Sequence, residues 1–213
     1  MRATLIHDTP IELDAGWLRR HFAFAGTPAQ TVYGDQGTGA GRAAARRPAS
    51  VLVPIVQRPE ELRVLFTRRT AHLKDHSGQI SFPGGRAEPH DATPEATALR
   101  EAEEEVGLDP RRVEVLGKLS DYHTRTDFRV TPVVGLVSEP FELRLDAREV
   151  DEVFEVPLSF LLDPANHQRH AREFQGRQVH YFAIVWGEHN IWGATAGMLV
   201  NLYRFLAQPR TAA

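Results

Sequence analysis

Three glutamates, Glu101, Glu104 and Glu105, sit at i, i+3 and i+4 near the end of the run TPEATALREAEEEVG, residues 93–107. Each helical residue advances about 100°, so this spacing predicts three carboxylates on one helix face. Leu99, Ala102 and Val106 gather on another face and can pack inward. Like charges four apart on a helix cost a few tenths of a kcal/mol per pair. A hard divalent cation that takes oxygen ligands, such as Mg2+ or Mn2+, reverses the sign of that interaction. The bland alternative is a solvated acidic face. Its neighbours argue for chemistry instead: Arg100 directly precedes the first glutamate, Gly107 follows the last, and Phe82-Pro83-Gly84-Gly85 lies upstream. Thr93 is the expected N-cap, Pro94 fits the first helical position, and Gly107 suits a left-handed residue after the last turn.

This stretch resembles the Nudix box: Gly, five residues, Glu, seven residues, Arg-Glu, an aliphatic, any residue, Glu-Glu, any residue, Gly, an aliphatic. Gly85, Arg100, Glu101, Glu104, Glu105, Gly107 and Leu108 fill matching slots, with Ala102 a small occupant of the aliphatic one. The first Glu of the box falls on Asp91, one residue further from Arg100 than in the family pattern. The resemblance implies an α/β (α+β) fold, the Nudix α/β/α sandwich with a mixed sheet. It also implies metal-dependent hydrolysis of a diphosphate, with Glu101, Glu104 and Glu105 as ligands of Mg2+ or Mn2+. Arg100 is then expected to hold a glutamate in its ligating orientation.

A second motif runs from Leu65 to Gly85, LFTRRTAHLKDHSGQISFPGG. It is similar to the signature of the coenzyme A pyrophosphatase branch of the Nudix family. In that signature Leu-Leu-Thr-x-Arg-Ser/Ala is followed by Arg, Gly and Phe-Pro-Gly-Gly at fixed intervals of three residues. Phe66 replaces the second Leu, Thr70 the Ser/Ala and Lys74 the second Arg, and the spacing is intact. Segments 131–134, 149–153 and 191–193 also resemble this branch, so the likeness covers about residues 47–206. It implies cleavage of coenzyme A and its thioesters to 3′,5′-ADP and 4′-phosphopantetheine or its acyl form. Two other readings stay open: a Nudix hydrolase of ADP-ribose, NADH or a nucleoside triphosphate, and a non-catalytic nucleotide-binding module. The complete Arg100, Glu101, Glu104 and Glu105 set disfavours the last.

Other residues carry candidate roles by type. Gly84 and Gly85 let backbone turn tightly where a side chain would obstruct a diphosphate. Arg69, Lys74 and His76 could meet substrate phosphates, although a solvated loop would have the same composition. Glu149 and Glu152 are candidates for a general base or a further metal ligand. His167 and His170 have ligand-like spacing but no third partner nearby, and read as surface histidines. The chain has no cysteine and no evident Ser-His-Asp arrangement, so neither a thiolate site nor an acyl-enzyme route is expected.

The elements that must position these residues are legible in outline. Residues 10–23 predict a short amphipathic helix, with Leu13 and Trp17, then Leu18 and Phe22, four apart. Gly26 to Ser50 reads as a flexible linker, its Gly37-Thr38-Gly39-Ala40-Gly41 lacking the strand and Lys-Ser/Thr of a phosphate loop. The expected division is therefore an N-terminal extension over 1–46 and a hydrolase domain over 47–208. Strands are expected at 51–56, 62–67, 79–82, 113–119, 128–137 and 179–186, with a last helix at 195–206 and Trp192 anchoring it in the core. Pro132 predicts an edge or a bulge. A net charge of −3 argues against a nucleic-acid binder driven by bulk electrostatics. No apolar run reaches membrane-spanning length, and residues 1–16 lack the apolar core of a signal peptide. A cytoplasmic protein acting on a small molecule, with no membrane or nucleic-acid partner, is expected. The sequence is compatible with a homodimer.

Overall fold

The computed structural model describes residues 4–6, 9–11, 13–25, 47–71, 78–174 and 177–208. Runs of β-branched residues build its centre. Strand β3 (Arg47–Gln57) lies parallel to β9 (Phe128–Val137) across ten registered pairs, from Arg47↔Phe128 to Val56↔Val137. Strand β4 (Leu62–Arg69) flanks β3, β10 (Val150–Pro157) flanks β4, and β7 (Val113–Lys118) closes the far side of β9. Three short strands join this sheet: β5 (Ile80–Ser81) on β4, β6 (Gly84–Arg86) on β3 and β8 (Tyr122–His123) on β9. The sheet is mixed and buried on both faces, which explains near-continuous apolar runs in its central strands.

Alternation along the strands divides the core in two. One face presents Leu52, Val56, Leu65, Val133 and Val137 to Ala98, Ala102 and Val106 of helix α2 (Pro94–Val106). The other presents Val53, Ile55, Val64, Phe66 and Val134 to Leu199, Leu202 and Phe205 of helix α4 (Ala194–Leu206). Helices on both faces of a mixed sheet make the α/β/α sandwich. Helix α1 (Ala15–Ala25) joins the second face: Leu18 and Phe22 are buried there, and the Phe22 ring lies 4.7 Å from that of Phe205. Asp14 caps this helix through the Trp17 amide (2.6 Å). The helix thus begins later than the apolar spacing suggested, because Thr9–Ile11 (β2) pairs with Thr4–Ile6 (β1). The Gly37–Gly41 run lies outside the described residues.

Three other expectations are corrected. Pro132 is on an interior strand, not an edge or a bulge. It falls in the gap between β7 and β8, where its carbonyl accepts the Leu119 amide (2.9 Å) and no partner strand needs its missing N–H. A separate antiparallel sheet of β11 (Gln168–Phe174), β12 (Arg177–Trp186) and β13 (His189–Trp192) stands where only one strand was legible. Ile191, fully buried, is the core anchor before α4, whereas Trp192 is half-buried beside Tyr181. The short helix α3 (Leu158–Leu161) follows β10. No helix among the described residues is long and apolar enough to cross a membrane.

The packing of α1 gives a test by paired substitutions. Phe22→Ala empties a core site and should cost about 3 kcal/mol of unfolding free energy in urea. Phe24→Ala, at a side chain 80% exposed, should change it by less than about 0.5 kcal/mol. Equal effects of the two would mean that α1 does not dock as described.

Candidate active site

Helix α2 is bounded by its own sequence. The Thr93 hydroxyl accepts the Ala96 amide (3.2 Å), Pro94 opens the helix, and Gly107 takes the left-handed conformation (φ 70°) that closes it. The helix lies against β6 at very short range. A Cβ on Gly85 would come within 2.5 Å of the Glu101 carboxylate, and one on Gly84 within 2.5 Å of the Ser50 carbonyl oxygen. The Gly84 amide donates to Glu105 Oε2 (3.1 Å). Both glycines are therefore required by close approach, and the turn brings backbone N–H to a carboxylate.

Arg100 is the hub of the acidic face. Its guanidinium binds Asp91 through Nε (3.1 Å) and Nη2 (2.9 Å), Glu104 through Nη1 (2.8 Å), and both Glu101 (3.0 Å) and the Arg86 carbonyl (3.1 Å) through Nη2. Asp91, almost wholly buried, also accepts the Glu88 amide (2.9 Å) and the Thr97 hydroxyl (3.0 Å). Arg100 and then the Glu88 amide hold its carboxyl well below the usual range. Asp91 thus fills a positioning role despite the extra residue before Arg100. Thr97 was not singled out from sequence, and its only signal was proximity to Asp91 on the first turns of the helix.

Glu105 is buried and short of positive charge. Burial pushes its carboxyl up to about 7, against the opposing pull of the Gly84 amide and of Arg69. Burial also raises Glu101, with Arg100 opposing. Arg69, a candidate for contact with substrate phosphates, stands beside carboxylates, 3.5 Å from Glu105 and 3.7 Å from Glu149. Glu149 is about half exposed at the same end of the site. Glu152 does not join it. A bulge at Asp151 interrupts the β10–β4 register, so Glu152 pairs with Arg68 (2.8 Å) and lies 3.2 Å from His189, with Phe154 stacked on the same imidazole. Arg68 follows Phe66 on the α4 side of the sheet, and Arg69 follows Leu65 and Thr67 on the α2 side. Lys74 and His76 lie outside the described residues. His167 bonds the Leu161 carbonyl (2.8 Å) and His170 lies beside Tyr181, so they form no joint site.

Among the described residues no three acidic or histidine side chains stand as a finished metal centre. The donor set nevertheless fits a hard cation. Glu101, partly buried, and Glu105, buried, offer carboxylate oxygens whose charged form is disfavoured by burial, and Glu104, 60% exposed, is paired with Arg100.

The model of the NUDIX domain matches residues 46–178, more than half of the chain and the span that carries β6, α2 and the Glu149 segment. The chain belongs to the Nudix family. It is 41% identical over 156 residues to the uncharacterized Nudix hydrolase NudL of Photorhabdus laumondii, covering 73% of this chain and 83% of that protein. It is 42% identical over 158 residues to NudL of Escherichia coli, also described as uncharacterized, covering 73% and 81%. The crystal structure of the M. smegmatis Nudix hydrolase RenU aligns with a TM-score of 0.47 at 25% identity, over 55% of this chain and 74% of that one. Nudix hydrolases act on pyrophosphate bonds and generally use divalent metal ions.

The Asp91–Arg100 pair of this Nudix domain makes stability depend on pH with a definite sign. A carboxylate held below its ordinary range stabilises the folded state above that range and stops doing so as the pH falls through it. The difference in unfolding free energy between wild type and Asp91→Asn should be constant from about pH 8 to about 5, then shrink below about pH 4. Urea titrations at several pH values measure it. A difference undiminished at about pH 3 would show that Asp91 acts through something other than its charge.

Proposed function

We propose that this chain is a divalent-metal-dependent Nudix hydrolase that cleaves the diphosphate bond of coenzyme A and its derivatives, giving 3′,5′-ADP and 4′-phosphopantetheine or acyl-phosphopantetheine. The observation that carries the hydrolytic reading is the close packing of Gly84-Gly85 onto Glu101 and Glu105, which holds one partly buried and one buried carboxylate against a tight backbone turn. The substrate reading rests on the Leu65–Gly85 motif.

Glu101, Glu104 and Glu105 would hold the cation, Mg2+ or Mn2+. Bound there, it supplies the positive charge that lets an anionic diphosphate approach carboxylates and makes water more acidic. Arg100 keeps Glu101 and Glu104 aligned while Asp91 fixes Arg100 from behind. Glu149, half exposed and 3.7 Å from Arg69, would take the proton from the attacking water. The water oxygen bonds to one phosphorus, and the bridging P–O bond breaks with its electron pair leaving on the other phosphate. Arg69 offsets charge between Glu105 and Glu149 as the phosphates enter, and Lys74 and His76 remain candidates for contact with them. Glu152, tied to Arg68 on the other face, is left out of this set.

Chelation should abolish turnover, and Glu104→Gln, which keeps size but removes a charged ligand, should lower kcat by roughly a hundredfold or more. Turnover of that variant near the wild-type rate, or full activity in excess chelator, would refute the metal assignment.

Bond choice is the second test. With acyl-CoA as substrate, mass analysis should find acyl-phosphopantetheine with its thioester intact, and hydrolysis in oxygen-18 water should label only one of the two phosphate-bearing products. Free fatty acid and intact coenzyme A would place the enzyme in another class.

A further inference from the structure

Arg69 is shared between Glu105 and Glu149, whereas a second pair of arginines beside the glycine turn is not engaged by acids among the described residues. One residue past Gly85, β6 ends at Arg86. Antiparallel pairing sets Arg86 opposite Ala49 on β3, and the parallel register sets Arg47 opposite Phe128 on β9. Arg47 and Ala49 are two residues apart and share a strand face, so Arg47, Arg86 and Phe128 meet on one side of the sheet end. The Arg47 guanidinium carbon lies 4.1 Å from the centroid of the Phe128 ring and that of Arg86 lies 5.4 Å from it.

Neither guanidinium has a carboxylate partner among the described residues. Arg47 Nη2 donates to the Thr126 carbonyl (3.0 Å), which orients it without neutralising it. By contrast, Arg58, Arg63, Arg68, Arg69, Arg100 and Arg148 all pair with acids. Two cations held over one ring repel each other, and the ring limits their freedom to swing apart. Such a pair is preorganised for an anion with several acceptor oxygens, the chemistry of a phosphate dianion. Its position ties it to the active site, because the Arg86 carbonyl accepts Arg100 (3.1 Å) and the neighbouring Gly85 touches Glu101.

We propose that Arg47 and Arg86, braced on Phe128, form a subsite for a phosphate monoester carried by the nucleoside half of the substrate. This rests on the coenzyme A reading, in which that group is the 3′-phosphate. The diphosphate lies along the α2 side of β6, and the nucleoside turns over this three-residue strand to put its monoester between the two guanidiniums.

Binding of 3′,5′-ADP and of AMP, measured by calorimetry with magnesium present, tests the subsite without turnover. The wild type should prefer the bisphosphate by about tenfold or more, the yield of one charge-assisted contact. Arg47→Gln with Arg86→Gln should erase that preference, each single variant should reduce it, and Arg112→Gln, an exposed arginine elsewhere, should keep it. A preference that survives the double variant, or is absent from the wild type, overturns the proposal. So does inorganic phosphate binding as tightly as the bisphosphate at these two residues, which would make them a general anion site. A wild type that does not cleave coenzyme A refutes the proposed substrate but leaves these binding outcomes to decide the subsite.

Discussion

The carboxylate of Glu101 occupies the space where any side chain at residue 85 would have to begin. That exclusion sets the distance between α2 and β6, and through β6 the distance between α2 and the whole sheet, since Gly84 and Gly85 pair with Val51 and Ser50 of β3. The buried face of α2 is matched to it. Ala98 and Ala102 are fully buried and small, so the helix axis can come close enough for Glu101 and Glu105 to reach the turn. A larger residue at position 102 would push back against Leu52, Val56 or Val133 and lift the acids away from the glycines. The small occupant of the aliphatic slot is thus consistent with a helix that sits low on its sheet.

Electrostatics follows from that proximity. Glu105 loses water on packing and gains a single amide donor and an arginine at 3.5 Å, which leaves its carboxyl up to about 7. Desolvation of this kind disfavours the charged form unless a stronger cation arrives. Arg100 cannot be that cation for Glu105, because Asp91, Glu101, Glu104 and the Arg86 carbonyl already use its donors. The fold therefore concentrates one well-satisfied arginine on one side of the acids and leaves the deeper carboxylate under-neutralised. The shortage is local and lies next to the exposed end of Glu149.

What was legible in the sequence was what local chemistry decides. The caps of α2 need only Thr93, Pro94 and Gly107, and the shared face of the glutamates needs only helical spacing. Branched runs gave β3 and β9 for the same reason. The hidden parts depend on partners distant in sequence. Strand β11 reads QRHAREF, a polar run that becomes a strand because β12 pairs along its whole length. Pro132 looked like an edge marker, yet an interior strand tolerates it where β7 has ended and β8 has not begun. Arg69 and Arg68 are neighbours in a basic stretch, and nothing in their type says which faces the acids.

The separation of Glu149 from Glu152 shows how much one residue of register can decide. Without the bulge at Asp151, strict alternation from Val150 would put Glu152 on the same face as Val150, toward α2, and leave the site with a second acid over Glu105. The bulge turns Glu152 to the opposite face, where Arg68 and His189 meet it, while Val153 still packs on the α2 side. An additional carboxylate beside Glu101, Glu105 and Glu149 would deepen a charge deficit that Arg69 alone already leaves uncorrected. Moving that charge through the sheet limits the local repulsion, and among the described residues it leaves Glu149, half exposed beside Arg69, as the acid of this segment that stands on the Glu105 side.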